Sequence, residues 1–168
     1  MADLFALSDK IISEGVAHEP INRVNHQLSE LDNDIAMVEA FSHSVVFKTD
    51  AGLVVFDTSG AQGGKPVVDA IRGWSGDAFH SLVYTHGHID HVGGYNTVIN
   101  TRQFGQVAGL SVGAGPRFLP EDVAHPDEVY RDNMDLSVGG LDMQLHHAIG
   151  ETDDHTWAWL PKHKAICA

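Results

Sequence analysis

Thr85-His86-Gly87-His88-Ile89-Asp90-His91 places three imidazoles and a carboxylate within a few residues, and these are side chains that bind divalent ions such as zinc. A loop leaving a strand can turn several neighbouring side chains toward one point. Alternation puts His86 and His88 on the same side, where they can share one ion, and sets Asp90 and His91 one step beyond, within reach of a second. The spacing therefore predicts a site for two metals. Gly87, Gly93 and Gly94 remove side chains around the cluster. Two readings stand for them: a sharply bent backbone that leaves open space for ions, water and substrate, or tight loop packing alone.

Composition agrees with imidazole and carboxylate chemistry. Twelve histidines against a single cysteine, Cys167, exclude a disulfide framework and a cysteine-rich zinc module. A formal charge of −13 repels a phosphate backbone or an anionic membrane over most of the surface, which argues against nucleic acid and membrane partners and for a small-molecule substrate. The first residues lack a basic start followed by an apolar run, so a cytoplasmic chain is expected. A homo-oligomer is left open.

The elements that must position the cluster follow from periodicity. With 168 residues and 43% hydrophobic content, the default is one domain with a real core. Leu4, Phe5, Leu7, Ile11 and Ile12 recur at roughly helical spacing before Gly15, giving residues 1–34 the character of an N-terminal arm or helix. Short β-type runs follow over 35–40, 44–48 and 53–56, with Asp50-Ala51-Gly52 as a hairpin turn. A helix is expected from Pro66, after Gly63-Gly64, to near Gly73, then a buried strand over 81–84 that ends where the histidines begin. The stretch from Gly93 to Asp127 reads mostly as loop, with only 95–104 helical in pattern. Residues 134–138 and 141–146 form a hairpin through Gly139-Gly140, and 156–160 and 165–167 are two more strands, with Cys167 in the core. Antiparallel hairpins mixed with a few helices predict an α/β layered domain.

The segment Thr85 to Gly94 resembles the His-x-His-x-Asp-His signature of the metallo-beta-lactamase superfamily. Two other stretches extend the likeness. Gly150-Glu151-Thr152-Asp153-Asp154-His155-Thr156-Trp157 keeps the register of that family's Gly-His-Thr segment, with Glu151 where histidine is usual, and Leu53 to Thr58 is similar to its strand ending in an aspartate behind the metal loop. The resemblance runs from Ile35 to the end. It implies an αββα sandwich, here with the first sheet and part of the second, in which Asp57 orients a ligand. It also implies that His86 and His88 serve the first ion, and Asp90 and His91 the second. A carboxylate in the third-ligand position looks like the alkylsulfatase branch and suits zinc, although His147 and His155 are alternatives to Glu151. His155 falls where some relatives carry a substrate-polarising side chain. The sequence stops at Ala168, before the bridging aspartate and last histidine of the family, so 35–168 is expected to be a C-terminally truncated domain.

The resemblance implies a zinc-dependent hydrolase in which a metal-activated hydroxide attacks an ester-type bond, with sulfate esters first among substrate classes and Asp90 taking or shuttling the proton. Two other classes fit the same residues. A two-histidine, one-carboxylate set also suits iron in a mononuclear redox enzyme, and the chain could serve as a non-catalytic metal-binding fragment.

Overall fold

The computed structural model describes residues 3–94, 102–104 and 124–168. Helix α1 (Leu4–Glu14) starts at Asp3, whose side chain accepts a hydrogen bond from the Ala6 amide, and stops at Gly15 in the left-handed conformation. Its apolar residues recur as expected, but none is buried.

Six strands form the first sheet, β1 (Leu28–Asp32), β2 (Ile35–Val38), β3 (Ser44–Thr49), β4 (Gly52–Phe56), β5 (Phe79–Val83) and β6 (Arg102–Phe104), in that spatial order. β1 to β4 are antiparallel neighbours, whereas β4, β5 and β6 run parallel. The crossover from β4 to β5 carries helix α2 (Gly64–Trp74). Its Val67 and Ile71 pack on the outer face of the sheet against Ala36, Val38, Val46, Leu53, Val55 and Leu82.

The second sheet is a meander of β7 (Asn133–Val138), β8 (Leu141–Ala148), β9 (His155–Leu160) and β10 (Ala165–Cys167), in the order β10-β9-β8-β7. Gly139 and Gly140 both have positive φ, 51° and 81°, as a two-residue hairpin turn matched to strand twist demands. Strand alternation turns Met143, Leu145, Ala158, Leu160 and Cys167 toward Phe47, Val54, Phe56 and Val83 of the first sheet, closing the inner core. Burial pushes the Cys167 thiol pKa upward, as suits an inert core thiol. Helix, sheet and sheet thus stack as three layers, the α/β architecture expected.

Two sequence expectations are corrected. The first sheet takes in Leu28–Asp32, which had been placed in the arm before residue 35. Its pattern, Leu-Ser-Glu-Leu-Asp, is too polar to announce a strand; pairing with β2 supplies the order. The helix expected over 95–104 does not extend to its end, because Arg102–Phe104 is a strand alongside β5; 95–101 lie outside the described residues. No helix among the described residues is long and apolar enough to cross a membrane.

Candidate metal centre

Because β4 and β5 are parallel, their carboxyl ends open at the same edge of the sheet, where α/β folds assemble sites. Asp57 leaves β4 there with φ at 55°, a left-handed conformation that aspartate tolerates better than most residues. Its buried carboxylate takes the Thr85 amide at 2.8 Å and the Thr85 hydroxyl at 2.6 Å, which fixes the start of the histidine segment.

The Thr85 hydroxyl proton is committed to Asp57, so its oxygen accepts from the His86 Nδ1–H at 3.1 Å. This assigns the proton to Nδ1 and leaves the Nε2 lone pair of His86 for another partner. That Nε2 atom is buried and has no hydrogen-bond partner among the described residues. It faces the carboxylate of Glu151 at 3.8 Å, and His88 Nδ1 faces the same carboxylate at 3.5 Å. One ligand atom each from His86, His88 and Glu151 lies within 4.8 Å of the other two. A buried, unpartnered imidazole nitrogen converging with a second imidazole and a carboxylate fits a divalent cation. Burial first, with help from neighbouring His91 and His88, lowers the His86 pKa and keeps the ring neutral, the form that donates to a metal.

Asp90 and His91 stand beside this set on the single-turn helix α3 (Ile89–Val92). His91 Nδ1 lies 2.7 Å from Asp57 and 2.9 Å from the Ser42 hydroxyl, and its Nε2 is 3.6 Å from the Asp90 carboxylate. The His91 ring packs 3.9 Å from that of His86, centroid to centroid. Burial works against a charged His91, but the hydrogen bond to Asp57 and the negative charges of Asp57, Asp90 and Glu151 outweigh it and raise the pKa. The Thr58 amide holds the His91 carbonyl at 2.9 Å. At Gly94 a Cβ would sit 2.2 Å from the Thr58 carbonyl oxygen, so of the two readings of that glycine, tight packing is the one the geometry requires.

Glu151 comes from the opposite direction, on the loop joining β8 to β9, with its side chain 66% exposed. The Thr156 amide donates to the Thr85 carbonyl at 2.6 Å and brings that loop to the histidines. Of the alternatives to Glu151, His147 is turned away, with Nε2 2.6 Å from the Asp153 carbonyl oxygen. His155 lies against His86 at 5.6 Å between ring centroids, and its buried Nδ1 has no partner among the described residues. Neither joins the three-ligand set. Ser42 escaped the sequence reading: it lies far from His91 in the chain, in no motif, and only the fold joins them.

Two β-sheets under a helix, with a histidine-rich loop at the carboxyl ends of parallel strands, define an α/β domain with a candidate metal site. The chain belongs to the metallo-beta-lactamase superfamily, whose profile matches residues 38–166. No curated protein matches it significantly. Among solved structures, it is similar to a beta-lactamase from Chitinophaga pinensis at 15% identity and a TM-score of 0.70, covering 86% of this chain and 60% of that one. The stereoselective inverting sec-alkylsulfatase Pisa1 from Pseudomonas sp. aligns at 17% identity and a TM-score of 0.67, covering 84% and 30%. The MIM-2 metallo-beta-lactamase aligns at 18% identity and a TM-score of 0.69, covering 90% and 62%. The chain therefore spans less than two thirds of the length of these neighbours.

Proposed function

We propose that this chain carries the metal-holding part of a zinc-dependent hydrolase that acts on an ester-type bond, sulfate esters being the first class to test. The observation that carries the reading is the convergence of the buried, unpartnered His86 Nε2 with His88 and Glu151. His86, His88 and Glu151 would hold one ion, and Asp90 and His91 would serve a second. Lewis acidity, and a lowering of the pKa of a bound water to about 7, is the chemistry that a divalent ion would supply there. Asp90, whose partly exposed carboxylate lies beside His91 Nε2, would take and release a proton at Oδ2. His155 lies against His86 and would present its ring to the substrate. A carboxylate in place of the third histidine, together with the fold-level likeness to an alkylsulfatase, supports testing sulfate ahead of phosphate esters, lactones and thioesters.

Metal analysis of the purified chain, combined with turnover of aryl sulfate, aryl phosphate, lactone and thioester substrates, tests the proposal. Retained zinc that His86→Ala removes, with sulfate ester turnover, is the expected result. Zinc binding unaffected by His86→Ala would defeat the ligand assignment. The same two-histidine, one-carboxylate set suits Fe(II), and iron in place of zinc would move the reading to redox chemistry.

A further inference from the structure

Ser42 is buried in the corner between β2 and β3, and its Oγ lies 2.9 Å from His91 Nδ1. The carboxylate of Asp57 is 2.7 Å from the same nitrogen. A carboxylate at that distance needs a proton between the two atoms, so Nδ1 carries the hydrogen and the Ser42 oxygen accepts a second share of it. Asp57 sets the tautomer, and the Thr85 hydroxyl oxygen lies 3.3 Å from the same nitrogen; Ser42 reaches that N–H from a different element than either and so restrains the plane of the ring.

The corner that carries Ser42 is itself braced. The Glu39 amide donates to the Gln27 carbonyl at 3.0 Å, and the His26 amide to the Glu39 carbonyl at 2.8 Å. Asn22 Nδ2 donates to the Phe41 carbonyl at 3.2 Å, and the Ala40 amide to His43 Nδ1 at 3.2 Å. The Glu39 side chain is gripped by Arg23 through two nitrogens, at 2.6 and 2.8 Å, and by Asn25 at 3.1 Å. A serine on such a corner has little freedom to move away from His91.

We propose that Ser42 is a positioning residue for His91, holding the imidazole so that Nε2 points beside Asp90 before any ion arrives. The inference rests on the reading of His91 as a metal ligand, but its first readout does not use metal. In the metal-free 168-residue chain, histidine-ring proton–nitrogen correlation spectra at a pH where the ring is neutral should show a single His91 tautomer with the hydrogen on Nδ1. Ser42→Ala should leave the hydrogen on Nδ1, where Asp57 holds it, but shift and broaden the His91 ring signals as the ring plane loosens, and zinc affinity, measured by competition with a chelating dye, should fall about tenfold, the low end for residues that support a ligand. Ser42→Thr and Ser42→Val share one shape and differ in the hydroxyl. Thr should restore both readouts and Val should not, and a packing defect common to the two cancels in the comparison. An unchanged His91 spectrum in Ser42→Ala, or equal behaviour of the Thr and Val variants, overturns the proposal. If His91→Ala keeps its zinc while Ser42→Ala disturbs the ring, the ligand reading fails and the positioning role stands.

Discussion

The histidines and Glu151 reach the same point on very different supports. His86 and His91 rise from the end of a buried parallel strand, and Asp57, Thr85, Thr58 and Ser42 hold them through side chains and backbone. Glu151 stands on an exposed loop of the second sheet and meets the histidines through its carboxylate alone. The histidine side has its geometry fixed in advance, with buried polar groups committed to one arrangement. The carboxylate side can adjust as an ion or substrate enters. Stability should therefore depend on the first, while the second should affect metal affinity and little else.

The largest effect is expected at Asp57. Asp57→Ala strips the acceptor from the Thr85 amide, the Thr85 hydroxyl and His91 Nδ1 together, and should cost roughly 3 kcal/mol of unfolding free energy in urea. It should also lower zinc affinity 10- to 100-fold, about the range for residues behind a ligand. A variant as stable as the parent would mean that the histidine side is not held as argued.

Gly94→Ala comes next. A methyl 2.2 Å from the Thr58 carbonyl oxygen forces the backbone apart, and overpacking of this kind costs about 1–3 kcal/mol. Thermal unfolding would register the loss.

Glu151→Ala is the sharpest contrast. Stability should stay within about 0.5 kcal/mol, as at an exposed position, while zinc retention measured after dialysis falls. An equal loss of stability at Glu151 and Asp57 would erase the difference between the two sides.

The smallest effect concerns pH. Burial alone would raise the Glu39 pKa, but hydrogen bonds from Arg23 and Asn25 and the charge of Arg23 outweigh it, so the carboxyl titrates below its ordinary value. A carboxylate whose folded pKa is depressed adds stability that is complete above the unfolded value of about 4.3 and is lost as pH falls through the folded one. Glu39→Gln should therefore destabilise at neutral pH, and its difference from the parent should narrow below about pH 4. A constant difference across that window would show that the pair does not brace the Ser42 corner through its charge.

Much of the fold was legible because local physics repeated itself. The runs at β2, β3 and β4 are short, mostly apolar stretches rich in β-branched residues, and Gly139-Gly140 names its own turn. α2 shows a buried stripe between Gly63-Gly64 and its end. β1 was not legible, since Leu28–Asp32 mixes polar and apolar residues and becomes a strand only beside β2. Nor was the strand at Arg102–Phe104, whose order comes from its parallel neighbour β5.

For the site, the sequence by itself supplied the candidate ligand types. Three imidazoles and a carboxylate fall within one short loop, a property of residue type and spacing along one chain. Resemblance to the family's segments added Glu151 in the register of a ligand and Asp57 behind the metal loop. The tertiary structure decided which atoms meet. It brought Glu151 across from the second sheet to His86 and His88, turned His147 toward Asp153, and carried Ser42 to His91. Those contacts join residues far apart in the chain, and their distances follow from how two sheets pack, which no local pattern encodes.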